Sequence, residues 1–224
     1  KRLARRWKIS RERLKNGSTV LFNLARAVGR RLLTVHKPLV RFRRRSRRRS
    51  EIARSHRHER AVERRALRAG RSGRPLLLGP WTSEVGFEVL YWIPFLRWLK
   101  GQCGWDPASA VAVSRGGVAS WYQGLADAYV EIFDHVDPET FARRNEARTA
   151  VDGSRKQLGQ SELDRDLIAC GCTVAGLDAH TVVHPSLMYQ LFRQFWLGRR
   201  PLTYVAERTR FELAAPPARF DLSM

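Results

Sequence analysis

Short apolar runs alternate with longer, partly polar stretches from Pro75 onward. Runs of a few apolar residues bounded by glycine, proline or polar residues are typical of strands that are buried on both faces of a parallel sheet. The strands predicted in this way are Leu76–Leu78, Ala110–Val113, Tyr129–Phe133 and Leu167–Cys170.

The intervening stretches have helical patterns. Residues 83–100 are apolar on nearly all sides, which predicts a helix packed in a core, with a kink at Pro94. The tripeptide Asp137–Glu139 places an N-cap residue, a proline and a first-turn acid in succession, which predicts the start of another helix. A further helix is predicted at residues 186–197.

Strands that alternate with helices predict an α/β fold with a Rossmann-like parallel sheet. We place this domain at residues 75–215, because a glycine- and arginine-containing linker precedes it at residues 70–75. Residues 216–224 are interpreted as the start of a linker or of a truncated second domain.

Almost all of the net charge of +21 lies outside this domain. Residues 1–74 contain 27 Lys/Arg and 4 Asp/Glu, a net charge of +23, whereas the other 150 residues contain 15 and 17, a net charge of −2. We therefore interpret residues 1–74 as a separate basic arm, helical in part and disordered in part. Its segments are an amphipathic stretch at 18–40, an arginine run at 41–49 and a polar helix with few core positions at 51–69.

Two interpretations of the basic arm stay open. The arm is a solvated extension, or it contacts a polyanion. An anionic membrane surface suits an amphipathic basic helix, because each Lys or Arg near such a surface contributes about 1 kcal/mol. Nucleic acid is the other polyanion, bound without sequence specificity through its phosphates.

The sequence contains few signals for covalent cross-links, cofactors or metals. Three cysteines are too few for a disulfide framework, which is typical of a reducing compartment. The Cys170 and Cys172 pair has no second ligand pair nearby, so we expect no metal site and no bound cofactor. No apolar run reaches the ~18–20 residues that span a bilayer. We therefore expect a cytoplasmic protein, peripheral at the inner face of the membrane if the arm binds lipid.

The carboxyl ends of the predicted strands are the expected place for a ligand, because loops and helix N-termini collect at that edge of a parallel sheet. In the loop after the first strand, Gly79, Ser83 and Gly86 are small residues that leave backbone amides accessible to a substrate. Glu84 and Glu88 are four residues apart on one helix face, which suits a general base. The alternative is that these acids only stabilise the start of the helix through its dipole.

The loops after the second strand and before the last helix supply further candidates. A guanidinium beside two glycines, at Arg115, Gly116 and Gly117, suits a phosphate, a carboxylate or sugar hydroxyls. Trp121 is a candidate sugar-stacking platform, and His184 is a candidate acid–base or phosphate contact. The alternatives are that the glycines form ordinary turns, Arg115 forms an ion pair, Trp121 packs in the core and His184 caps the helix.

The stretch from Gly79 to Arg97, followed by Val113–Gly117 and by Trp121 and Tyr122, is similar to the N-terminal half of bacterial glycosyltransferase-like proteins. These proteins are associated with polysaccharide gene clusters, and the resemblance covers roughly residues 75–215. It implies the acceptor-side half of a GT-B type enzyme, in which two Rossmann-like domains enclose a cleft and the nucleotide sugar binds mainly to the second domain.

The resemblance implies metal-independent transfer of a sugar from a nucleotide sugar to a glycan or lipid-linked acceptor. Glu84 or Glu88 would then act as base towards the acceptor hydroxyl, and the Arg115–Gly117 loop would face the cleft. Because the sequence stops where the second domain would begin, two other hypotheses stay open. One is a nucleic-acid-binding protein that acts through its arm, and the other is an assembly or membrane-adaptor protein with a non-catalytic α/β domain.

Overall fold

The computed structural model describes residues 50–152 and 157–212. The expectations for residues 18–49 and 216–224 therefore lie outside the described residues. Among the described residues, the chain divides between His56 and Arg57, and the described residues from Arg57 onward form one compact unit. The sheet and the helices around it belong to the unit that begins at Arg57.

The predicted α/β fold with a Rossmann-like parallel sheet is confirmed. The strands are β1 Leu76–Leu78, β2 Ala110–Ser114, β3 Ala128–Glu131 and β4 Thr181–Val183. They form a sheet in the order β3-β2-β1-β4, and every neighbouring pair is parallel. The short central strand β1 pairs with β2 through Leu77 and Val111, and with β4 through Leu77 and Val182.

Helices flank and connect these strands. A helix α1 covers residues 57–70 of this unit, and residues 50–56 are helical as well. A π-helix at Glu88–Trp92 lies between α2 and α3, and 3₁₀ turns occur at Pro107–Ser109, Ala119–Tyr122 and Ile132–Asp134. The other helices are α2 Val85–Phe87, α3 Ile93–Cys103, α4 Pro138–Asp152, α5 Glu162–Val174, α6 Ser186–Trp196 and α7 Leu202–Ala206.

The helix predicted at residues 83–100 is present, but its irregularity lies before Pro94. Pro94 lies in the first turn of α3, directly after the π-helix. A proline has no N–H to donate and its ring crowds the carbonyl four residues earlier, so a proline suits the start of a helix. The wider turn of the π-helix therefore takes the place of a simple kink.

The strand predicted at Leu167–Cys170 is wrong, because these residues belong to α5. Ser161 and Asp164 form a capping box that starts this helix, and its buried residues Leu163, Leu167 and Gly171 recur at helical spacing. The fourth strand is instead the β-branched run at Thr181–Val183.

Two hydrophobic clusters lie on the two faces of the sheet. The first includes Leu76 and Leu78 of β1 together with residues of α1, α3, α6 and α7. The second includes Leu77 of β1 and residues of α4 and α5. Gly171 allows α5 to approach the sheet closely, because a Cβ there would lie 2.8 Å from Val113 Cγ2.

Residues 57–70, which the sequence analysis assigned to the basic arm, belong to the compact unit of the sheet. Val62 and Ala66 are fully buried in the first hydrophobic cluster, so this helix has core positions after all. Glu59 is buried as well and forms an ion pair with Arg200. The domain therefore begins before the linker at residues 70–75, and residue 75 is not its start.

Gly79 is the position where the backbone tolerates a side chain least. Its φ is +131°, and a Cβ there would lie 2.5 Å from the carbonyl oxygen of Val113. We expect Gly79→Ala to lower the free energy of unfolding by about 2 kcal/mol or more, through strain and a displaced strand end. Urea-induced unfolding of the full chain measures this change.

Gly86→Ala is the matched control. Gly86 lies in α2, has no positive φ, and a Cβ there would meet nothing within 4 Å. Alanine is favoured over glycine in a helix by up to about 1 kcal/mol, so this variant should be as stable as the wild type or more stable. Equal unfolding free energies for the two variants would contradict the assigned constraint at Gly79.

Candidate functional site

The strand order defines one crevice at the carboxyl edge of the sheet. The chain passes from β1 to β2 and β3 on one side, and it returns to the other side of β1 for β4. Ligands of open parallel sheets bind outside the carboxyl ends of the strands where the order reverses in this way. The loop at residues 79–84 follows β1 and His184 follows β4, so both lie at the reversal.

A buried polar cluster lies beneath this crevice, and we call Thr82, Arg148, Asp164 and His184 the switch-point cluster. Arg148 Nη1 donates to Thr82 Oγ1 at 2.8 Å and to Asp164 Oδ1 at 3.2 Å. Asp164 Oδ2 accepts from the backbone N–H and the hydroxyl of Ser161, both at 2.8 Å. All four members of the cluster are less than one-tenth exposed.

A hydrogen bond from the backbone fixes the orientation of the His184 ring. His184 Nδ1 accepts from the backbone N–H of Ser186 at 3.1 Å, which leaves Nε2 to carry the proton. Nε2 faces Asp164 Oδ2 at 3.8 Å. Burial raises the pKa of Asp164, but the contacts with His184 and Ser161 outweigh it and hold that pKa below its ordinary value. Asp164 is therefore an ionised carboxylate that neutralises Arg148.

The crevice above the cluster has hydroxyl groups, and one exposed carboxylate lies beside it. Gln157 Nε2 donates to Ser83 Oγ at 3.4 Å. The hydroxyl of Tyr189 is buried and has no hydrogen-bond partner among the described residues. Burial and the charge of Glu84 raise the pKa of Tyr189 to about 12, although Ser83 and Arg148 lower it. Glu84 is exposed at the N-terminus of α2, and its side chain makes no capping hydrogen bond.

Two further donors of the switch-point cluster have no close hydrogen-bond partner, although His184 Nε2 interacts with Asp164 Oδ2 at 3.8 Å. Arg148 Nε and His184 Nε2 are buried without a hydrogen-bond partner in the described part of the chain. Both side chains line the crevice, together with Ser83 and Tyr189. Unsatisfied buried donors are costly, so a group that accepts hydrogen bonds would be stabilised here.

Glu88 does not face the crevice. Its side chain is fully buried, and Oε1 accepts from Ser114 Oγ at 2.6 Å and from the Tyr122 hydroxyl at 2.7 Å. Burial raises the pKa of Glu88, while Ser114, Tyr122 and Arg115 lower it in part. A substrate hydroxyl cannot reach this carboxyl group, so the structure gives no support to Glu88 as a general base.

Arg115 forms hydrogen bonds to the backbone of the loop after β1, and it forms no ion pair among the described residues. Its Nη1 donates to the carbonyl oxygen of Trp81 at 3.1 Å, and its Nη2 to that of Ser83 at 2.6 Å. The guanidinium also lies over the Phe141 ring, 5.2 Å from its centroid. These contacts hold the segment that carries Ser83 and Glu84.

The amides of Gly116 and Gly117 are occupied by a carboxylate of the protein itself. Gly116 N donates to Glu131 Oε1 at 3.0 Å and Gly117 N to Oε2 at 2.8 Å, while the Tyr129 hydroxyl donates to Oε2 at 3.0 Å. Burial raises the pKa of Glu131, but the amide hydrogen bonds outweigh it and leave that pKa below its ordinary value. The expected anion-binding loop is thus filled in this structure.

The remaining sequence candidates divide between the crevice and other surfaces. Gly79, Ser83 and His184 lie at the crevice, and Glu84 lies beside it. Gly86 is exposed in α2. Trp121 is half-buried and lines a separate apolar groove with Val89 and Ile93. Sequence reasoning missed Thr82, Arg148, Asp164 and Tyr189, and only the capping box at Ser161 and Asp164 was a local signal for one of them.

Residues 50–152 and 157–212 contain no group of three or more His, Cys, Asp or Glu side chains that could hold a metal ion. None of the helices within these ranges is long and apolar enough to cross a membrane. No family model, no curated protein and no solved structure matches the chain.

The buried acid Glu88 predicts a pH-dependent difference from Glu88→Gln. Because the folded-state pKa of Glu88 is raised, its contribution to stability is fully present below about pH 4.5 and is lost as the pH rises through that raised value. Glutamine keeps an acceptor for Ser114 and Tyr122 and carries no charge. The stability of Glu88→Gln relative to wild type should therefore increase above pH 4.5, by at most about 1.4 kcal/mol per pH unit.

Urea unfolding between about pH 4 and pH 8 measures this difference. Glu84→Gln is the control, because it makes the same change of side chain at an exposed position. Parallel stability curves for wild type and Glu88→Gln would contradict the assigned burial of an ionisable acid.

Proposed function

We propose that this domain is the acceptor-side half of a GT-B type glycosyltransferase-like protein, which transfers a sugar from a nucleotide sugar to a glycan or lipid-linked acceptor. The observation that supports this proposal is the crevice between β1 and β4. It combines buried donors on Arg148 and His184 and a buried hydroxyl on Tyr189 that have no close hydrogen-bond partner among the described residues. The exposed carboxylate of Glu84 lies beside it.

The charges at the carboxyl edge of the sheet favour a neutral, hydroxyl-rich ligand over a diphosphate. Arg148 is paired with Asp164, the guanidinium of Arg115 is bonded to two carbonyl oxygens, and Glu131 occupies the Gly116 and Gly117 amides. A diphosphate needs uncompensated positive charge or free amides. Sugar hydroxyls need alternating donors and acceptors at short range, and the crevice, with a volume of about 10 Å³, has room for a single hydroxyl group of such a ligand. The acceptor is therefore the substrate that we assign to this half.

The transfer reaction assigns Glu84 the role of base. The acceptor oxygen forms a bond to the anomeric carbon, the bond from that carbon to the diphosphate oxygen breaks, and the acceptor proton moves to the Glu84 carboxylate. Glu84 is suited to this role because its side chain is exposed next to the crevice. Ser83, Tyr189 and His184 would orient the acceptor hydroxyls. The nucleotide sugar is the co-substrate, and its diphosphate would be stabilised by the partner domain.

Binding of neutral glycans to the full 224-residue chain tests the assignment of the acceptor. Backbone amide NMR spectra, recorded during titration with an oligosaccharide panel, should show shifts at residues 82–86, 157–159 and 184–189. Tyr189→Phe removes one hydroxyl and should weaken binding by about fivefold to tenfold. The matched control is Tyr204→Phe, because the Tyr204 hydroxyl is also buried without a partner among the described residues, but lies in α7.

The outcomes separate the possible ligands. Shifts at these residues with nucleotide sugars, and none with neutral glycans, would assign the domain to the donor instead. The absence of shifts with either class would overturn the proposal. In the complete transferase, Glu84→Gln should lower kcat by about 100-fold or more and leave acceptor affinity within twofold, as expected for a base. Full activity of Glu84→Gln would remove Glu84 from its role.

The alternative function is polyanion binding through the basic arm, and the observation that favours it is the net charge of +23 on residues 1–74. Deletion of residues 1–49 is the appropriate test, because it leaves the helix at residues 57–70 in its core position. Retention on heparin or DNA at low salt should be lost with this deletion and should weaken steeply with salt in the full chain. Retention that survives the deletion would favour nucleic-acid binding by the domain itself.

A further inference from the structure

An apolar surface lies on the side of α2, the π-helix and α3 that faces away from the core. We call Val85, Val89, Leu90 and Phe211 the apolar face, since these four side chains are between 43% and 68% exposed. Val89 and Phe211 line a groove of about 280 Å³, whose floor includes Ile93. Single exposed apolar residues are ordinary on protein surfaces, but an adjoining set around a groove marks an interaction surface.

A basic surface adjoins the groove. We call Arg97, Lys100 and Arg210 the basic rim, because they line a polar depression that continues from the apolar groove. The carboxylate of Glu212 bridges two members of the rim. Its Oε2 lies 3.1 Å from Arg97 Nη1, and its Oε1 lies 3.1 Å from Arg210 Nε. Two guanidinium groups therefore converge on one anionic group, and the three cations exceed this carboxylate by two charges.

Residues of the apolar face and of the basic rim follow one another along one side of the same helical segment. Val85, Val89, Ile93 and Arg97 follow one another at intervals of four residues, which brings them to one side of the helical segment. Apolar residues occupy its N-terminal half and cations its C-terminal half. An apolar strip with an aromatic residue and a Lys/Arg rim is the composition of helices that lie in the headgroup layer of a membrane.

We propose that the apolar face and the basic rim dock on an anionic lipid surface. Val85, Leu90 and Phe211 would enter the boundary between headgroups and acyl chains. Arg210, whose side chain is 64% exposed, would bind a lipid phosphate in the position that Glu212 occupies, with the mostly buried Arg97 behind it. This proposal does not depend on the glycosyltransferase assignment.

Charge complementarity selects lipid over a second copy of the chain. A two-fold contact through this face would bring two basic rims together, and like charges at one contact repel each other. An anionic membrane attracts both the rim and the arm. Binding through the arm is electrostatic and is therefore weakened by salt, whereas the contacts of buried apolar side chains are not. The apolar face would thus add salt-resistant membrane binding to that of the arm. Stable membrane attachment takes two signals of this kind.

Sedimentation of the full chain with vesicles tests the proposal. Vesicles of phosphatidylcholine with about one-third phosphatidylglycerol should bind the chain, and pure phosphatidylcholine vesicles should bind it much more weakly. Part of the binding should persist at about 0.5 M salt, where the Debye length is only a few ångströms.

Substitutions of equal size separate the apolar face from the rest of the surface. Val85→Ser should weaken vesicle binding by about fivefold, and the double variant Leu90→Ser/Phe211→Ser by tenfold or more, with loss of the salt-resistant fraction. Val174→Ser is the matched control, since Val174 is also 50% exposed but lies at the end of α5, on the other face of the sheet. It should bind vesicles like the wild type.

Three results would overturn the proposal. The first is that Val85→Ser and Val174→Ser bind vesicles with equal affinity. The second is that salt releases the wild-type chain from the vesicles completely. Either result would assign membrane binding to the arm alone. A change of oligomeric state in Leu90→Ser/Phe211→Ser, measured by sedimentation velocity without vesicles, would assign the face to a second copy of the chain.

Discussion

The contact between Gly79 and the Val113 carbonyl oxygen is the constraint on which the rest of the carboxyl edge depends. The central strand β1 has only three residues, so its position and the direction of the following loop are fixed mainly by what lies after Leu78. Gly79 N donates to the Val183 carbonyl on one side, and Trp81 N donates to the Val113 carbonyl on the other. The loop is thereby held between β4 and β2, which brings Thr82 within reach of Arg148 although 66 residues separate them.

Charges at this edge are compensated within the protein. Arg148 meets Asp164, the Gly116 and Gly117 amides meet Glu131, and Glu88 accepts hydrogen bonds from two hydroxyls. Such pairing fixes the shape of a crevice, because every displaced partner would leave a buried polar group unsatisfied. The polar and charged groups that lack a partner within the described residues therefore indicate where a ligand would bind. The free donors on Arg148 and His184 lie in the crevice between β1 and β4, and the surplus cations lie along α3 and at Arg210.

Local patterns in the sequence predicted most of the fold. The three apolar runs that became β1, β2 and β3 and the Asp-Pro-Glu signal before α4 were all readable from a few neighbouring residues. Leu167–Cys170 was misassigned because a short apolar run has the same appearance in a strand and on one face of a helix, and the capping box that distinguishes them lies several residues earlier. The candidate site was less readable. Glu84 and Glu88 look equivalent at a spacing of four, but Glu84 is an exposed N-cap residue with extended backbone before α2, whereas Glu88 begins the π-helix and its side chain is buried in the core. No local sequence pattern linked Arg148 and Asp164 to Thr82, because residues so far apart in the chain are brought together only by the fold.

Because of the π-helix at Glu88–Trp92, the number of residues in this segment is as important for the fold as their identity. A π-helix differs from an α-helix by one extra residue in a turn, and one residue corresponds to about 100° of rotation around a helix axis. Deletion of one residue between Glu88 and Pro94 would regularise the helix and rotate everything before the deletion relative to α3. Glu88 would leave Ser114 and Tyr122, and Val85 would leave the stripe that ends at Arg97. In related chains, the number of residues between the glycine after β1 and this proline is therefore a sharper marker of the same architecture than the identity of any one side chain.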